Sequence, residues 1–519
     1  MHSFISPISR FVTDKYCAAA LVFSAGCVLR LVPEVLAYPY PIGYDVINYY
    51  IPVLTNFDLH WQTTSHEFPL YAYLLHLLAN AVGSSPYIAV LTSATVMFGI
   101  LSVSIFVIGI RMFKTTIAES TFLSVFVIVQ MAVLRTSWDL HKDVFSISLM
   151  LFAFSLIAVH RVSINENKLL KLISSLILSS IIVVSDRMVG GLFSLSLLIY
   201  AVKSSCRIAL VSSIIAFCIF IIAVFTGSNL WSNVINFSFI EQQAVTIRHS
   251  GINPNSYNGF NLLVSFIIVN GLLLPTSLLG LRYQNNNKIL KIALLITLFG
   301  SFSWILFPNN ESLVANRWII LTGIFLSIFA GYGFIILSRR VRAQNLKAGY
   351  SVLLMAITVF GIIGISYIAL PYRSPFILYE IVRGYVGSFE PVSMQFNSVD
   401  IKENPKLLSA IDWINKNTKP NATIIGASHL RGWMELELEK GRTFHFFNNN
   451  DGLVDFLRNL KSQNSYLFAL KGESPDLRGL KIKSVYSSEI ITISRVYSHM
   501  TQPAKVINQT HIKWMRNIF

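Results

Sequence analysis

The chain has 519 residues, of which 54% are hydrophobic and only 13% are charged, and its mean hydropathy is +0.59. A soluble chain would carry about 25% charged residues, so the composition excludes an ordinary soluble protein and indicates a polytopic membrane protein. The formal charge of +16 does not indicate a nucleic-acid partner, because membrane proteins collect Lys and Arg in their cytoplasmic loops. We expect no nucleic acid among the partners, and a lipid bilayer as the surroundings.

Apolar runs long enough to cross a bilayer recur along the first two thirds of the chain. A spanning helix needs about 20 apolar residues, and on that measure the sequence predicts about eleven spans. The first run is longer than a signal-peptide core and lacks a convincing cleavage site, so we expect a retained helix. The predicted spans are 16–36, 86–110, 115–134, 143–160, 169–185, 187–202, 207–226, 259–280, 289–307, 317–338 and 348–370.

The distribution of Lys and Arg predicts the orientation of these spans. With a cytoplasmic N-terminus, sixteen Lys and Arg residues lie in inside segments and five lie in the opposite loops, as the positive-inside rule requires. The transmembrane domain is therefore residues 1–370, with a first external loop at residues 33–86. Four glycosylation sequons fall on the same external side and support this weakly, at Asn236, Asn310, Asn421 and Asn508.

Residues 371–519 are less hydrophobic and predict a soluble α/β domain outside the membrane. Helical spacing over 407–417 turns Trp413 and Ile414 inward, 422–427 is typical of a short buried strand, and 481–497 alternates as a hairpin does. This domain contains no glycine-rich phosphate loop, nucleophile elbow or metal cluster. We interpret it as a structural or acceptor-recruiting domain.

The first loop carries the acid around which the functional hypothesis is built. It contains four acids and no Lys or Arg. From Asp45 onward, apolar residues recur at helical spacing while Asp45, Asn48 and Tyr49 share the other face, which predicts a helix in the membrane interface. Asp45 fits two roles equally well, the N-cap of this helix or an acid facing a cavity.

Further ionisable residues lie where other predicted spans reach the same side. Each alone has a simple structural explanation: Asp139 and Asp186 fit helix caps, Asp143 fits a first helical turn, Asp186 and Arg187 fit an ion pair, and Arg317 fits a cation at a span end. Their shared side favours a common site. Arg30, inside the outer end of span one, needs a partner and is a functional candidate.

An acid grouped with several cations at the outer face suits one reaction in particular. Transfer of a sugar from a polyprenyl-phosphate carrier needs a base for the acceptor hydroxyl and cations for the phosphate leaving group. The lipid tail of the donor would occupy a groove between spans.

Several short motifs resemble those of GT-C membrane glycosyltransferases, which include protein mannosyltransferases, aminoarabinose transferases, oligosaccharyltransferase catalytic subunits and archaeal relatives. The similar stretches are Leu29-Arg30, Gly43-Tyr44-Asp45 with Tyr49 and Tyr50, Phe68 to Tyr71, Ser137 to Asp143, and Ala410 to Asn415 with Ala422 to Ile425 and Gly432-Trp433. The resemblance implies the fold, a lipid-phosphate sugar donor and a catalytic base at Asp45. It also points to an archaeal plasma membrane.

The hypothesised reaction gives the remaining candidates their expected roles. Donor-phosphate binding is expected of Arg30, Lys142, Arg187 and Arg317, and sugar or metal binding of His66, Glu67, Asp139, His141, Asp143 and Asp186. The chain departs from the family in lacking an acid pair after Asp45, the Asp-X-Asp second loop and the Trp-Trp-Asp-Tyr-Gly motif. These departures favour transfer of a single sugar over oligosaccharide transfer to asparagine, and they leave a divalent metal open. Our hypothesis is an inverting glycosyltransferase that transfers a hexose.

Two other classes of function compete with this hypothesis. A transporter or flippase of a lipid-linked sugar would use the same basic groove without Asp45 as a base, although such proteins usually show inverted repeats and broken helices at mid-membrane. A non-catalytic membrane anchor for the C-terminal domain would have no large outward groove. The acceptor class, whether glycan, lipid or protein, cannot be read from these motifs.

Overall fold

The computed structural model describes residues 14–55, 57, 70–83, 85–158, 168–226, 259–284, 288–306, 315–344, 347–369, 397–447, 453, 456–457, 464–471 and 481–497. The chain divides into two compact units, Met1–Asn404 and Pro405–Phe519. Residues 397–404 therefore pack with the first unit, beyond the expected membrane-domain limit at residue 370.

The first unit is a bundle of apolar helices. They are α1 Lys15–Ala37, α2 Val46–Thr55, α3 Leu70–Val82, α4 Pro86–Arg111, α5 Ile117–Ile128, α6 Met131–Asp139, α7 His141–Ala158, α8 Lys168–Ser185, α9 Arg187–Ser204, α10 Arg207–Thr226, α11 Gly259–Asn270, α12 Leu274–Tyr283, α13 Lys288–Ser301, α14 Ser303–Leu306, α15 Ala315–Ala343 and α16 Lys347–Ala369. Each predicted span coincides with one of these helices or with a consecutive pair.

Six helical segments of the described chain are long and apolar enough to cross a membrane: α1, α4, α7, α9, α15, and Leu262–Tyr283 across α11 and α12. The pair α5 and α6 would add a seventh, although it bends by 63° where one straight span was expected. Helices α8, α10 and α16 contain shorter apolar stretches. The prediction of a polytopic helical membrane protein is confirmed, and the number eleven stays a prediction.

Helix α15 lies at the centre of the bundle. In its most apolar window 94% of the residues are buried, and its side chains belong to a continuous core with α4, α5, α7, α9 and α13. Its contact with α12 is very close, because a Cβ added to Gly280 would lie 2.0 Å from the Phe329 carbonyl oxygen and one on Gly333 2.1 Å from that of Thr276. Only glycine at both positions allows the two backbones to meet in this way.

The second unit is a small α/β domain, as the sequence predicts. It contains helices α17 Asn404–Asn417 and α18 Arg431–Glu437 and a sheet ordered β2-β1-β3-β5-β4, built from β1 Thr423–Ala427, β2 Thr443–Phe447, β3 Ser465–Leu470, β4 Lys481–Ser487 and β5 Ile491–Tyr497. Strand β1 is parallel to β2 and β3, whereas β4 and β5 form the predicted antiparallel hairpin. Ile414 is fully buried, and half-buried Trp413 packs against Tyr486.

Candidate functional site

The predicted interface helix forms as α2, and its two faces are those expected. Val46, Tyr50 and Val53 are buried, whereas Asp45 and Tyr49 are only half-buried. The helix begins with a π-helical turn, Val46–Tyr50, a widened geometry that is frequent at functional sites.

Asp45 occupies the N-cap position of this turn, but its side chain makes no capping hydrogen bond there. The carboxylate therefore does not accept hydrogen bonds from the first amides of the helix, which is the purely structural role of an N-cap acid. The carboxylate instead interacts electrostatically with Tyr50. Burial raises the pKa of the Tyr50 hydroxyl well above its usual range, and the negative charge of Asp45 adds to that effect, so the phenol stays protonated at neutral pH.

Tyr50 connects the acid to the start of α7. Its ring stacks on the His141 ring, with the centroids 5.2 Å apart and 7° between the planes. It also meets Tyr71 of α3 edge to face at 5.5 Å, and the Tyr71 hydroxyl lies 3.0 Å from the Ser93 hydroxyl of α4. Three separate elements thus hold the buried side of α2 in place. His141 is itself buried, with Nε2 3.1 Å from the Trp138 carbonyl oxygen.

Arg30 has the partner that its position in α1 requires. Its Nη2 donates to Glu34 Oε1 at 2.7 Å, and its Nε donates to the Ser137 carbonyl oxygen at 2.8 Å. The Tyr87 hydroxyl donates to the other Glu34 oxygen at 3.2 Å. Both charged side chains are buried. The bond from Arg30 to the Ser137 carbonyl oxygen joins α1 to α6. Binding of a donor phosphate by Arg30 stays a prediction.

Four ionisable side chains from three separate parts of the sequence meet beside this cluster. Lys142 interacts electrostatically with Asp186, Arg317 and Asp143. Asp143 in turn interacts with Arg317 and comes into direct contact with Asp186. These interactions bring residues of α7, the α8–α9 junction and α15 together, and a functional role for the group stays a prediction. Both cations, Lys142 and Arg317, thus interact with the buried carboxyl of Asp143.

Lys142 also joins this group to the polar face of α2. Its Nζ lies 5.9 Å from the centroid of the Tyr49 ring, in a cation–π arrangement. Tyr50 completes a second connection, because it interacts with both Asp45 and Asp143. The sequence pattern placed Tyr49 on the polar face and Tyr50 on the apolar face of this helix and included both in a motif, but it assigned neither to the site. Their position beside the candidate acid was the signal that would have identified them as site residues.

Arg317 is held in place by tight packing of the next residue. Trp318 lies against Gly300 of α13 so closely that a Cβ on Gly300 would be 2.3 Å from the indole ring. The Arg317 amide donates to the Asn316 side-chain oxygen at 2.9 Å. The orientation of α15 at its first turn therefore follows from this glycine and indole contact.

Two of the remaining candidates, Asp186 and Arg187, lie at the start of α9. Asp186 does cap α9, accepting from the Val189 amide at 2.8 Å, in addition to contacting Asp143. Arg187, the next residue, is exposed. Asp139 ends α6, but its side chain lies outside the described residues, as do His66 and Glu67 altogether.

A divalent metal finds no complete set of ligands among the residues that the structure describes. No group of three His, Cys, Asp or Glu side chains is placed to hold one. The Asp143 and Asp186 pair supplies two carboxyls, and one oxygen of Asp143 has no hydrogen-bond partner within the described chain. Further ligands would have to come from outside the described side chains.

Comparison with known proteins shows the fold of this chain. No protein-family model matches the sequence, and no curated protein matches it. The structure resembles the ArnT protein of Cupriavidus metallidurans bound to undecaprenyl phosphate, with a TM-score of 0.56 and 10% identity over 92% of this chain and 97% of that one. The apo state of the same protein gives a TM-score of 0.53 with 12% identity over the same shares of the two chains.

The oligosaccharyltransferase of Archaeoglobus fulgidus, solved with Zn and sulfate, matches less well. It gives a TM-score of 0.47 with 11% identity over 86% of this chain and 68% of that one. At this level the likeness carries no argument about the site. The two ArnT comparisons show that this chain shares the ArnT fold over most of its length.

Proposed function

We propose that the protein transfers a sugar from a polyprenyl-phosphate donor to an acceptor at the outer or lumenal face of a membrane. The observation that carries the proposal is the position of Asp45, a half-buried acid at the N-cap of α2. Its carboxylate makes no capping hydrogen bond and interacts electrostatically with buried Tyr50, while Lys142 lies over the ring of the adjacent Tyr49. The GT-C fold supports the same conclusion. So does the bound undecaprenyl phosphate of the ArnT structure, a ligand of the donor class proposed here.

The proposed chemistry is a single displacement. Asp45 accepts the proton of an acceptor hydroxyl while that oxygen forms a bond to the anomeric carbon of the sugar. The bond between this carbon and the phosphate oxygen breaks, and its electron pair leaves with the polyprenyl phosphate. Attack from the side opposite the phosphate inverts the anomeric centre, and a hexose is the proposed sugar.

Lys142 and Arg317 would stabilise the departing phosphate. Both interact electrostatically with buried Asp143, and cations placed there would stabilise the negative charge that develops on the leaving oxygen. Arg187, exposed at the start of α9, and Arg30 are proposed as further donor contacts. His141, Asp143 and Asp186 are proposed to contact the sugar, as are Asp139, His66 and Glu67.

The location follows the predicted orientation. We propose a multi-pass protein of the plasma membrane, with the first loop and the C-terminal domain on the outer side. The acceptor would approach from that side as a glycan, a lipid or a protein segment. The distribution of Lys and Arg along the sequence supports this orientation.

The test is sugar transfer by the purified chain in proteoliposomes, with a labelled polyprenyl-phosphate hexose and an acceptor-containing membrane extract. Asp45→Asn should lower the rate by about 10²- to 10⁴-fold while the protein folds normally. The matched control is Asp412→Asn, an exposed acid of α17 that pairs with Lys416. Full sugar transfer by Asp45→Asn would contradict the assignment of Asp45 as the catalytic base. Equal lipid scrambling by both variants, without sugar transfer, would favour a flippase.

A further inference from the structure

A short segment beyond the last membrane helix packs against the helix that carries Asp45. Residues 397–401 are named the clasp here. They belong to the same compact unit as α2, although Ser398 lies 350 positions from its partner Asn48 in the sequence. Asn397 is fully buried, Ser398 and Val399 nearly so, and Ile401 joins the main hydrophobic core together with Ile42. This segment is therefore fixed to the membrane unit.

The clasp bonds to the chain on both sides of Asp45. On the preceding side, Asn397 Nδ2 donates to the Pro41 carbonyl oxygen at 3.0 Å. On the following side, the Ser398 hydroxyl and the Asn48 side-chain amide form two contacts, at 3.1 Å and 3.3 Å. Asn48 Nδ2 also lies 3.3 Å from the Tyr44 carbonyl oxygen. The acid is thus bracketed by hydrogen bonds from a single distant segment.

Local hydrogen bonds also hold the backbone of the clasp itself. The Asn397 side-chain oxygen accepts from the Ser398 and Val399 amides, at 2.6 Å and 3.3 Å. The Asp400 carboxylate accepts from the Lys402 amide at 2.9 Å. Burying an amide or a hydroxyl group costs free energy unless the group is hydrogen-bonded. Asn397 and Ser398 are buried and bonded to Pro41 and Asn48. These bonds therefore favour a single position of the clasp against α2.

The π-helical turn explains why such support matters. A π-helical turn is rare and usually short, and the one that begins α2 sets the direction of Asp45 at its N-cap. Tyr50 and its ring partners hold the buried side of this turn. On the polar face, Asn48 is bonded to the clasp.

We propose that the clasp positions the catalytic base: Asn48 and Ser398 are positioning residues that hold Asp45 toward the acceptor hydroxyl. This inference rests on the proposed function. The alternative explanation is that the clasp only anchors the C-terminal domain. Anchoring would need Val399 and Ile401 in the core but no hydrogen bond to Asn48. Contacts with the donor are not affected, so the clasp should influence turnover and not donor affinity.

Hydrogen–deuterium exchange of the purified full chain tests the clasp without relying on transfer. Ser398→Ala should speed amide exchange in peptides covering residues 44–51 by up to about tenfold, since a net hydrogen bond contributes on that order. Ser398→Thr, which keeps the hydroxyl, should exchange as the parent does. Ser409→Ala is the control, because within the described chain its hydroxyl donates to the Pro405 carbonyl oxygen of the same helix, α17. Unchanged exchange at 44–51 in Ser398→Ala would overturn the proposal.

Kinetics supply the second arm. Ser398→Ala and Asn48→Ala should each lower kcat by about tenfold with the donor KM unchanged, and the double variant should lose no more than either alone because the same contacts are removed. Ser398→Thr should restore most of kcat. A raised donor KM, or full kcat in both single variants, contradicts positioning of Asp45. A parent chain inactive in transfer would defeat the proposed function, while the exchange result would still decide whether the clasp holds α2.

Discussion

The imidazole ring of His141 lies parallel to the phenol ring of Tyr50, with the two centroids 5.2 Å apart. One ring belongs to the helix that carries Asp45, and the other opens the helix that carries Asp143. Through this stack the helix that begins after Asp45 contacts the helix that carries Lys142 and Asp143. Tyr50 is buried, yet its hydroxyl has no hydrogen-bond partner within the described chain.

Tyr50→Phe should therefore leave the thermal stability unchanged or raise it slightly, because an unsatisfied buried hydroxyl adds nothing to the folded state. Tyr50→Ala should cost about 3–5 kcal/mol through loss of the ring. Thermal unfolding of both variants in one detergent measures the difference. If Tyr50→Phe folds as well as the parent but transfers sugar poorly, the hydroxyl acts on a substrate; a marked loss of stability would show that the hydroxyl is bonded.

The Arg30 and Glu34 pair predicts a strong dependence of each residue on the other. Arg30→Met leaves a buried, uncompensated carboxylate and should destabilise the protein by about 3–5 kcal/mol, whereas the double variant Arg30→Met/Glu34→Leu should recover most of this loss. Chemical or thermal unfolding of the four proteins of the cycle measures the coupling. Additive losses would mean that the two side chains do not act as a pair.

The same double variant separates a structural from a functional role for Arg30. If the double variant is stable but needs more donor for half-maximal transfer, Arg30 also contacts the donor phosphate. Unchanged donor dependence would restrict Arg30 to its ion pair. Arg442→Ala is unsuitable as a control because this guanidinium bonds several groups of the second unit, so the exposed Arg111 is the better choice for a matched alanine variant.

Arg317→Ala should weaken the use of donor more than the use of acceptor, since Arg317 lies with Lys142 in the group assigned to the leaving phosphate. Removing one such electrostatic group typically costs on the order of 10²-fold in rate. The control, Arg340→Ala, lies near the other end of the same helix and is exposed. Donor titrations of both variants make the comparison, and equal donor dependence would count against the role of Arg317.

The predicted orientation can be read by labelling single cysteines in intact cells. After replacement of the four native cysteines, a Lys419→Cys variant should react with a membrane-impermeant maleimide, because that exposed position belongs to the domain placed outside. A Lys114→Cys variant, exposed between α4 and α5, should react only after the membrane is permeabilised. The reverse pattern would invert the topology and place Asp45 on the cytoplasmic side.

Much of the membrane unit could be predicted because the length of an apolar run is a direct requirement of the bilayer. The amphipathic helix after Asp45 was also readable, since Val46 and Tyr50 recur at helical spacing and Asn48 does not share their face. The bend between α5 and α6 was not, because nothing in the apolar composition around Gln130 interrupts the run. The ends of α7 and α8 were predicted within a few residues.

The site was predicted in part for the same reason. Shared sidedness is enough to group Asp143, Asp186 and Arg317, and the structure brings them together. The partner of Arg30 could have been predicted, because Glu34 lies four residues later and so about one helical turn away. Glu34 was instead counted among the acids of the first loop, because α1 was expected to end nearby. The bond between Asn48 and Ser398 joins positions 350 residues apart, and no local pattern encodes it.

The contact of α12 with α15 limits where a long isoprenoid chain could run. Gly280 and Gly333 let the two backbones touch, which closes the seam between these helices about 24 Å along α15 from Arg317, at 1.5 Å per residue. At that depth no isoprenoid chain could pass between α12 and α15, because their backbones are in contact. The two glycines thus exclude the space between these helices from the routes open to a lipid tail.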